Sequence, residues 1–293
     1  VTRSGFVALA GRPNVGKSTL VNAIVGGKVA IVSDRPQTTR RAIRGVRTDE
    51  DCQLVLVDLP GVQRPRDALT ERMAGTVSQQ LEDSDAVVLV INGEQGVGPG
   101  DRFIAAALAH TRAEVTIAVN KVDRLDRPRT VSVLEEAAEL QVGEHVFPMS
   151  ARTGNGVGAL VDHLKAQMPA GPFMFAPEHL TDQPLAVMLA ELVREAAIRR
   201  TFQEVPHAVE VVVEEIEDVH DELTRVRAIV WVETESQKGI LVGKAGRMVK
   251  AIGTAARREL ERELDRKVHL DLSVRVRRDW RADEGLLDRL GIT

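Results

Sequence analysis

Two glycine-bearing loops hold the residues best suited to chemistry, and both suit phosphate. The stretch Gly11-Arg12-Pro13-Asn14-Val15-Gly16-Lys17-Ser18-Thr19 matches G-x-x-x-x-G-K-[ST]. Glycines at that spacing let backbone N–H groups from Gly11 to Gly16 converge on phosphate oxygens, and the helix that opens at Lys17 adds favourable partial charge. Lys17 reaches toward β- and γ-phosphates, while Ser18, with Thr19 beside it, offers a hydroxyl to Mg²⁺. The second loop, Gly243-Lys244-Ala245-Gly246, sits between apolar segments with Arg247 and Lys250 close by. It lacks Gly-Lys-Ser, and no base-reading motif follows it. One loop therefore suits a nucleoside triphosphate and the other a phosphodiester backbone.

The base and the metal are addressed by further residues. Asn120-Lys121-Val122-Asp123 follows an apolar strand pattern, at the carboxyl edge where doubly wound sheets bind ligands. A carboxylate at Asp123 accepts two hydrogen bonds from guanine N1–H and the 2-amino group. Adenine has neither donor on that edge and would leave the carboxylate desolvated and unpaired. Ser150-Ala151-Arg152, after the last strand, is expected to bring backbone N–H groups near guanine O6. Asp58-Leu59-Pro60-Gly61 ends another strand: Asp58 can hold the metal through water, and the Gly61 N–H can meet a γ-phosphate present only before hydrolysis. Upstream, Gln37-Thr38-Thr39 supplies a hydroxyl that closes over the metal, either Thr38 or Thr39, with Thr39 preferred. Both segments read as switches ordered by the third phosphate.

These residues need a frame. Short aliphatic runs at 6–10, 54–58, 86–91, 115–119 and 146–150 suit strands buried on both faces of a parallel sheet. Helical spacing of apolar residues in "STLVNAIVG", "ALTERMAGTVSQQLEDS", "GDRFIAAALAH" and "TVSVLEEAAEL" alternates with them, which predicts a doubly wound α/β domain over 1–168. Pro169, Pro172, Pro177 and Pro184 then mark a linker over 169–183. From 184 to 293 the pattern becomes helix, two alternating strands joined by "DVHDEL", helix, glycine loop, helix and strand, a smaller α+β domain with a C-terminal tail.

Composition narrows the setting. The 293 residues are 43% hydrophobic, carry no apolar run long enough to span a bilayer, and show no signal-peptide layout at the start. The single Cys52 excludes an intramolecular disulfide and reads as a small core residue. The net charge of −4 hides an asymmetry: thirteen Lys or Arg against six acidic residues make 238–281 a +7 block. Such a block suits an anionic polymer, although a solvated helix face laced with ion pairs would also explain residues 256–267. Trp231 and His207 read as structural. Trp280, among arginines, suits either base stacking or anchorage of the C-terminal segment.

The ordered motifs over residues 5–168 resemble the GTPase domain of the translation-factor-like GTPases. That resemblance implies hydrolysis of GTP to GDP and phosphate on Mg²⁺. It also exposes a departure: Val62 follows Gly61 where Ras-like members carry a water-orienting glutamine, which implies slow intrinsic turnover. Asn14 resembles the asparagine of relatives in which K⁺ replaces an arginine finger. A K⁺ role and plain loop capping both stand for Asn14, and equal turnover in KCl and NaCl would remove the first.

The second loop resembles the GxxG turn of a prokaryotic-type KH domain, which clamps about four nucleotides of single-stranded nucleic acid. Lys244, Arg247 and Lys250 would neutralise phosphates there, with Arg275, Arg277 and Arg278 extending the surface. Together with "PQTTR", "LTDQP", "ELVREA", "PHAVEV" and "DWRADEGLLDRLG", these stretches are similar to the Era family of GTPases along nearly the whole chain. The family implies a cytoplasmic monomer that binds the 3′ end of small-subunit ribosomal RNA and assists maturation of the small ribosomal subunit. Basic patches also attract anionic lipid, so peripheral association with the inner face of the cell membrane stays open. Two other classes compete: an RNA-binding protein that keeps GTP as a structural ligand, and a P-loop kinase or ATPase.

Overall fold

The computed structural model describes residues 2–33, 38–61, 67–202 and 205–292, with Arg289 described by its backbone alone. Gln37 and Val62 lie outside the described residues. The chain divides into two compact units, one of 1–32, 39–182 and 292–293, the other of 33–38 and 183–291.

The first unit is built on six strands: β1 (Arg3–Ala10), β2 (Ile43–Thr48), β3 (Cys52–Asp58), β4 (Ala86–Asn92), β5 (Glu114–Asn120) and β6 (His145–Pro148). They lie in the order β2-β3-β1-β4-β5-β6, all parallel except β2, which pairs antiparallel with β3. Alternate residues of each run point to opposite faces, which is why the strands are apolar throughout rather than every second residue. Val7, Leu9, Leu54, Leu56, Val88 and Val90 pack with α1 (Lys17–Val25) and α5 (Val157–Gln167). Ala8, Ala10, Val57, Val87, Leu89 and Ile91 face α2 (Ala68–Glu82), α3 (Pro99–Leu108) and α4 (Arg127–Ala138). Cys52 is a free thiol buried in the first of these layers. The apolar-run reading finds five of the six strands. It misses β2, whose Arg44, Gly45, Arg47 and Thr48 do not read as a buried run; an edge strand needs only one apolar face.

The proline-rich segment expected as a linker is structured on this unit as far as residue 182. Ser4 donates from N–H to Pro169 O and from its hydroxyl to Pro172 O at 2.7 Å. Buried Gln53 accepts from the backbone N–H groups of Met174 and Phe175 at 2.7 and 3.0 Å and donates to Phe175 O. Val46 N–H donates to Leu180 O, and Arg44 pairs with Asp182 at 3.0 Å. Proline denies this stretch a helix but not side-chain partners along β1, β3 and β2, so it forms a strap.

The second unit opens with α6 (Leu185–Ile198) and the short α7 (Val205–Ala208). It continues through β7 (Glu210–His220), β8 (Leu223–Val232), α8 (Glu235–Val242), α9 (Arg247–Leu264), β9 (Lys267–Val276) and α10 (Glu284–Arg289). β7 runs antiparallel to β8 and β8 parallel to β9. Leu189, Leu192, Val193 and Ala196 of α6, and Ile252, Ala256 and Leu260 of α9, cover Val211, Val226, Ala228 and Val230 of the sheet. The connection predicted over "DVHDEL" shrinks to a two-residue turn, because β7 continues to His220.

Candidate functional site

At the carboxyl ends of the parallel strands, β1 gives way to a loop that two glycines make possible. Gly11 has φ +151°, and a Cβ there would fall 2.6 Å from Val90 O. Gly16 caps α1 at φ +103° with no side-chain cap, and a Cβ there would strike Asn120 Nδ2. The first N–H groups of α1 are thus left to an outside acceptor. Lys17 lies 6% exposed, its Nζ donating to Gly11 O and Arg12 O at 3.0 Å each. Burial pushes its ammonium down to about 8, with Asp58 opposing. A buried cation only partly balanced by Asp58, beside a helix start that no side chain caps, is a receptor for a multiply charged anion.

Three oxygen-bearing side chains from separate elements converge next to Lys17. Ser18 Oγ donates to Asp58 Oδ2 at 2.6 Å, Thr39 Oγ1 donates to the same oxygen at 3.2 Å, and the two hydroxyls lie 3.2 Å apart. The other Asp58 oxygen is buried without a hydrogen-bond partner, and burial raises that carboxyl's pKa. Two hydroxyls, one carboxylate and an orphaned buried oxygen fit a hard, oxygen-seeking cation such as Mg²⁺. Of the two candidate threonines, Thr39 brings its hydroxyl to this cluster. Gly61 closes the other side, where a Cβ would approach the Pro13 ring at 2.8 Å and its backbone nitrogen at 3.0 Å.

Asn120 has a role that its motif does not announce. Its Nδ2 donates to Val15 O at 2.9 Å, while its Oδ1 accepts from Lys121 N and Ala151 N at 2.8 and 2.9 Å. One buried side chain thereby ties together the phosphate loop, the turn after β5 and the loop after β6. Lys121, at φ +68°, adds a second tie from Nζ to Asn14 O at 2.8 Å. Asp123 stays near the surface. A hydrogen bond from Ser150 is the largest cause holding its carboxyl below the usual range; burial opposes it, and Arg152 adds to the lowering. The Arg152 guanidinium lies 2.6 Å from Asp123 Oδ2.

One sequence expectation changes here: the Ala151 N–H expected beside guanine O6 is held by Asn120, and Ser150 N–H donates to Asn155 O. The Arg12 side chain pairs with the buried Asp101 at 2.9 Å, fastening the loop to the start of α3. Asp101 also caps α3 by accepting from Gly98 N–H at 2.9 Å. The cap is legible in sequence, three residues after Gly98, but its pairing with Arg12, 89 positions earlier, is not.

In the second unit, Thr234 caps α8 by accepting from Gln237 N–H at 3.2 Å, and Gln237 Oε1 accepts from Thr234 N–H at 3.1 Å. This reciprocal box aims α8 into the turn. Gly243 has φ +69°, and a Cβ there would strike Met248 Cβ at 2.7 Å, while Ala245 and Gly246 also adopt left-handed conformations. Gly246 caps α9 with no side chain, leaving helix N–H groups beside the exposed Lys244, Arg247 and Lys250. A groove of about 500 Å³ continues from there between α9 and β9, lined by Lys250, Gly253, Arg257, Leu270 and Leu272. Arg275 and Arg278 are exposed. Arg277 is not spare: it pairs with Asp283 at 2.6 Å and lies 5.0 Å over the Trp231 ring. Trp280 is fully buried, its Nε1–H donating to Ala208 O at 3.0 Å. Both residues anchor the C-terminal segment, and complete burial leaves Trp280 no face for stacking.

Comparison with known proteins agrees with both halves. Residues 6–121 match a family described as 50S ribosome-binding GTPase, and residues 204–281 match the KH domain. The chain is 44% identical over 294 residues to GTPase Era of Mycobacterium tuberculosis, covering 98% of each, and 44% identical over 295 residues to that of Mycolicibacterium paratuberculosis. A crystal structure of Era in complex with MgGDPNP and nucleotides 1506–1542 of 16S ribosomal RNA aligns over the full length of both chains, with TM-score 0.96 and 32% identity. Aquifex aeolicus Era bound to GDP·AlF₄⁻ aligns equally completely at TM-score 0.94 and 33% identity. With that degree of identity running through both units, the chain belongs to the GTPase Era family.

Proposed function

We propose that this chain is a GTP-hydrolysing switch whose KH unit grips the 3′ end of small-subunit ribosomal RNA during assembly of the small subunit. The observation that carries the reading is the pairing, on one chain, of two glycine-capped helix N-termini with different surroundings. One faces a buried lysine and an oxygen cluster; the other faces exposed basic residues and an open groove. The ribosomal RNA in the related Era complex supports the choice of polymer.

In this reading the backbone N–H groups from Gly11 to Gly16 and the Lys17 ammonium hold the phosphates. Ser18, Thr39 and Asp58 hold Mg²⁺, which when bound neutralises charge on the β- and γ-phosphate oxygens. Asp123 selects guanine, and Asn120 keeps the two reading loops in register with the phosphate loop. For Asp123 to accept from guanine, the exposed Arg152 must swing aside or share the carboxylate. Leu59, Pro60 and Gly61 form the segment that senses the third phosphate. Asn14, exposed and at φ +63°, is the residue of the phosphate loop best placed for a K⁺ role. The chain works as a cytoplasmic monomer.

The test is the affinity of the full chain for a 16S rRNA 3′-end oligonucleotide, with GDP and with a non-hydrolysable GTP analogue, across a salt series. Tighter binding with the analogue, weakening as salt rises, is expected. Binding in neither state would remove the RNA reading and leave a GTPase of another partner.

A further inference from the structure

Glu114, His145 and His163 form a side-chain cluster at the end of the sheet opposite the nucleotide loops. Glu114 is the first residue of β5 and His145 the first of β6, while His163 projects from α5. At roughly 3.3 Å per residue, the length of β5 puts about 20 Å between this cluster and Asn120. Each side chain offers one ligand atom, and the three atoms lie within 4.8 Å of one another. The two imidazoles pack edge to face with centroids 4.4 Å apart.

From this juxtaposition we infer that Glu114, His145 and His163 constitute a second metal site, taking a borderline divalent transition cation such as Zn²⁺. Two imidazole nitrogens and a carboxylate oxygen are the donors such ions select, whereas Mg²⁺ and Ca²⁺ prefer all-oxygen sets. A tetrahedral Zn²⁺ would draw its ligand atoms to about 3.3 Å apart, from metal–ligand lengths near 2.0–2.1 Å. Glu114 and His145 are exposed and have the rotamer freedom to close that distance; His163 is half-buried and is the fixed member. Its ring is held as metal-ligating histidines usually are, by hydrogen bonds behind it: Nε2 lies 3.0 Å from both Thr116 Oγ1 and Gln167 Nε2. Gln167 Oε1 is buried without a partner. Turning that amide over would give His163 Nε2–H an acceptor and leave the other ring nitrogen to the metal. The bound ion joins β5, the short edge strand β6 and α5, three elements otherwise linked by packing, by the ladder between the two strands and by the Thr116–His163 hydrogen bond. It acts as a staple on the far edge of the nucleotide-binding sheet.

The test uses the full chain stripped of transition metals and saturated with GDP and Mg²⁺, which keeps the nucleotide site filled. Titration with Co²⁺ should give the visible absorption of a four-coordinate site, saturating at one equivalent and displaced by Zn²⁺. Zn²⁺ should also raise the melting temperature. Glu114→Gln and His145→Asn, both at exposed positions, should lower Co²⁺ affinity at least about tenfold while GDP affinity is unchanged. Absence of saturable Co²⁺ or Zn²⁺ binding, or equal affinity in the wild-type chain and both variants, would overturn the assignment.

Discussion

Lys17 combines two needs that conflict until an anion arrives. Burial makes it a strong phosphate ligand and an uncomfortable cation, held down to about 8 against the ordinary 10.5. A lysine with a lowered folded pKa binds fewer protons folded than unfolded between those values. In the nucleotide-free protein this group therefore costs stability below pH 8, and the cost is relieved as pH rises toward 10.5. The full span is worth about 3 kcal/mol. Denaturant unfolding at pH 8 and pH 10 should show about 2 kcal/mol of that gain in the wild-type chain, and only the background change of the other groups in Lys17→Met or when Mg²⁺ and GDP hold the lysine protonated. Asp123 carries a different prediction. Asparagine there replaces one acceptor by a donor, which mismatches guanine N1–H and the 2-amino group but complements the 2-oxo group of xanthine. Asp123→Asn should weaken GTP binding at least about a hundredfold and create affinity for XTP, read by nucleotide competition.

Elements are reused between the two units. In each, a helix begins at a glycine that supplies no cap, Gly16 before α1 and Gly246 before α9, so backbone donors face outward where an anion can take them. What differs is the surroundings of the helix start. Beside α1, buried Lys17 and Asp58 make a closed site for one compact ligand; beside α9, Lys244, Arg247 and Lys250 stand in solvent along a groove. Lys244→Asp with Ala245→Asp puts two carboxylates where phosphate would sit. Both positions are exposed, and Asp tolerates the left-handed backbone of Ala245 better than most residues. This double variant should fold, keep GDP affinity, and lose RNA binding at least tenfold with a shallower salt dependence; retained binding would move the RNA contact elsewhere.

Over the whole molecule, each unit has its own core, the first as two layers on one sheet and the second under α6 and α9. Separate cores unfold as separate cooperative units, and a ligand stabilises the unit that holds it. Calorimetry should resolve two transitions, with Mg²⁺ and GDP raising one and leaving the other in place. A single transition that shifts as a whole would mean the cores unfold together. The strap over residues 169–182 belongs to this scale as well. Its prolines announce extended chain, but its attachment depends on Ser4, Gln53 and Arg44, which lie 121 to 168 positions earlier in the chain than the strap residues they bond.

What the sequence determined by itself is the set of features with local causes. Apolar runs between turn residues announced five strands, and glycine and lysine spacing announced both phosphate loops, because strand burial and left-handed turns each act within a few residues. The nucleotide motifs were legible for the same reason: each occupies one strand end. Tertiary structure alone decided the rest. It chose the Thr39 hydroxyl for the oxygen cluster, gave Asn120 its three backbone partners, and turned Arg12 to Asp101 and Arg277 to Asp283. It buried Trp280 against Ala208 O and gathered Glu114, His145 and His163 on one sheet edge. These are pairings between residues far apart in the chain, and a long side chain's partner is set by the register and packing of the elements that carry it, not by its neighbours in sequence.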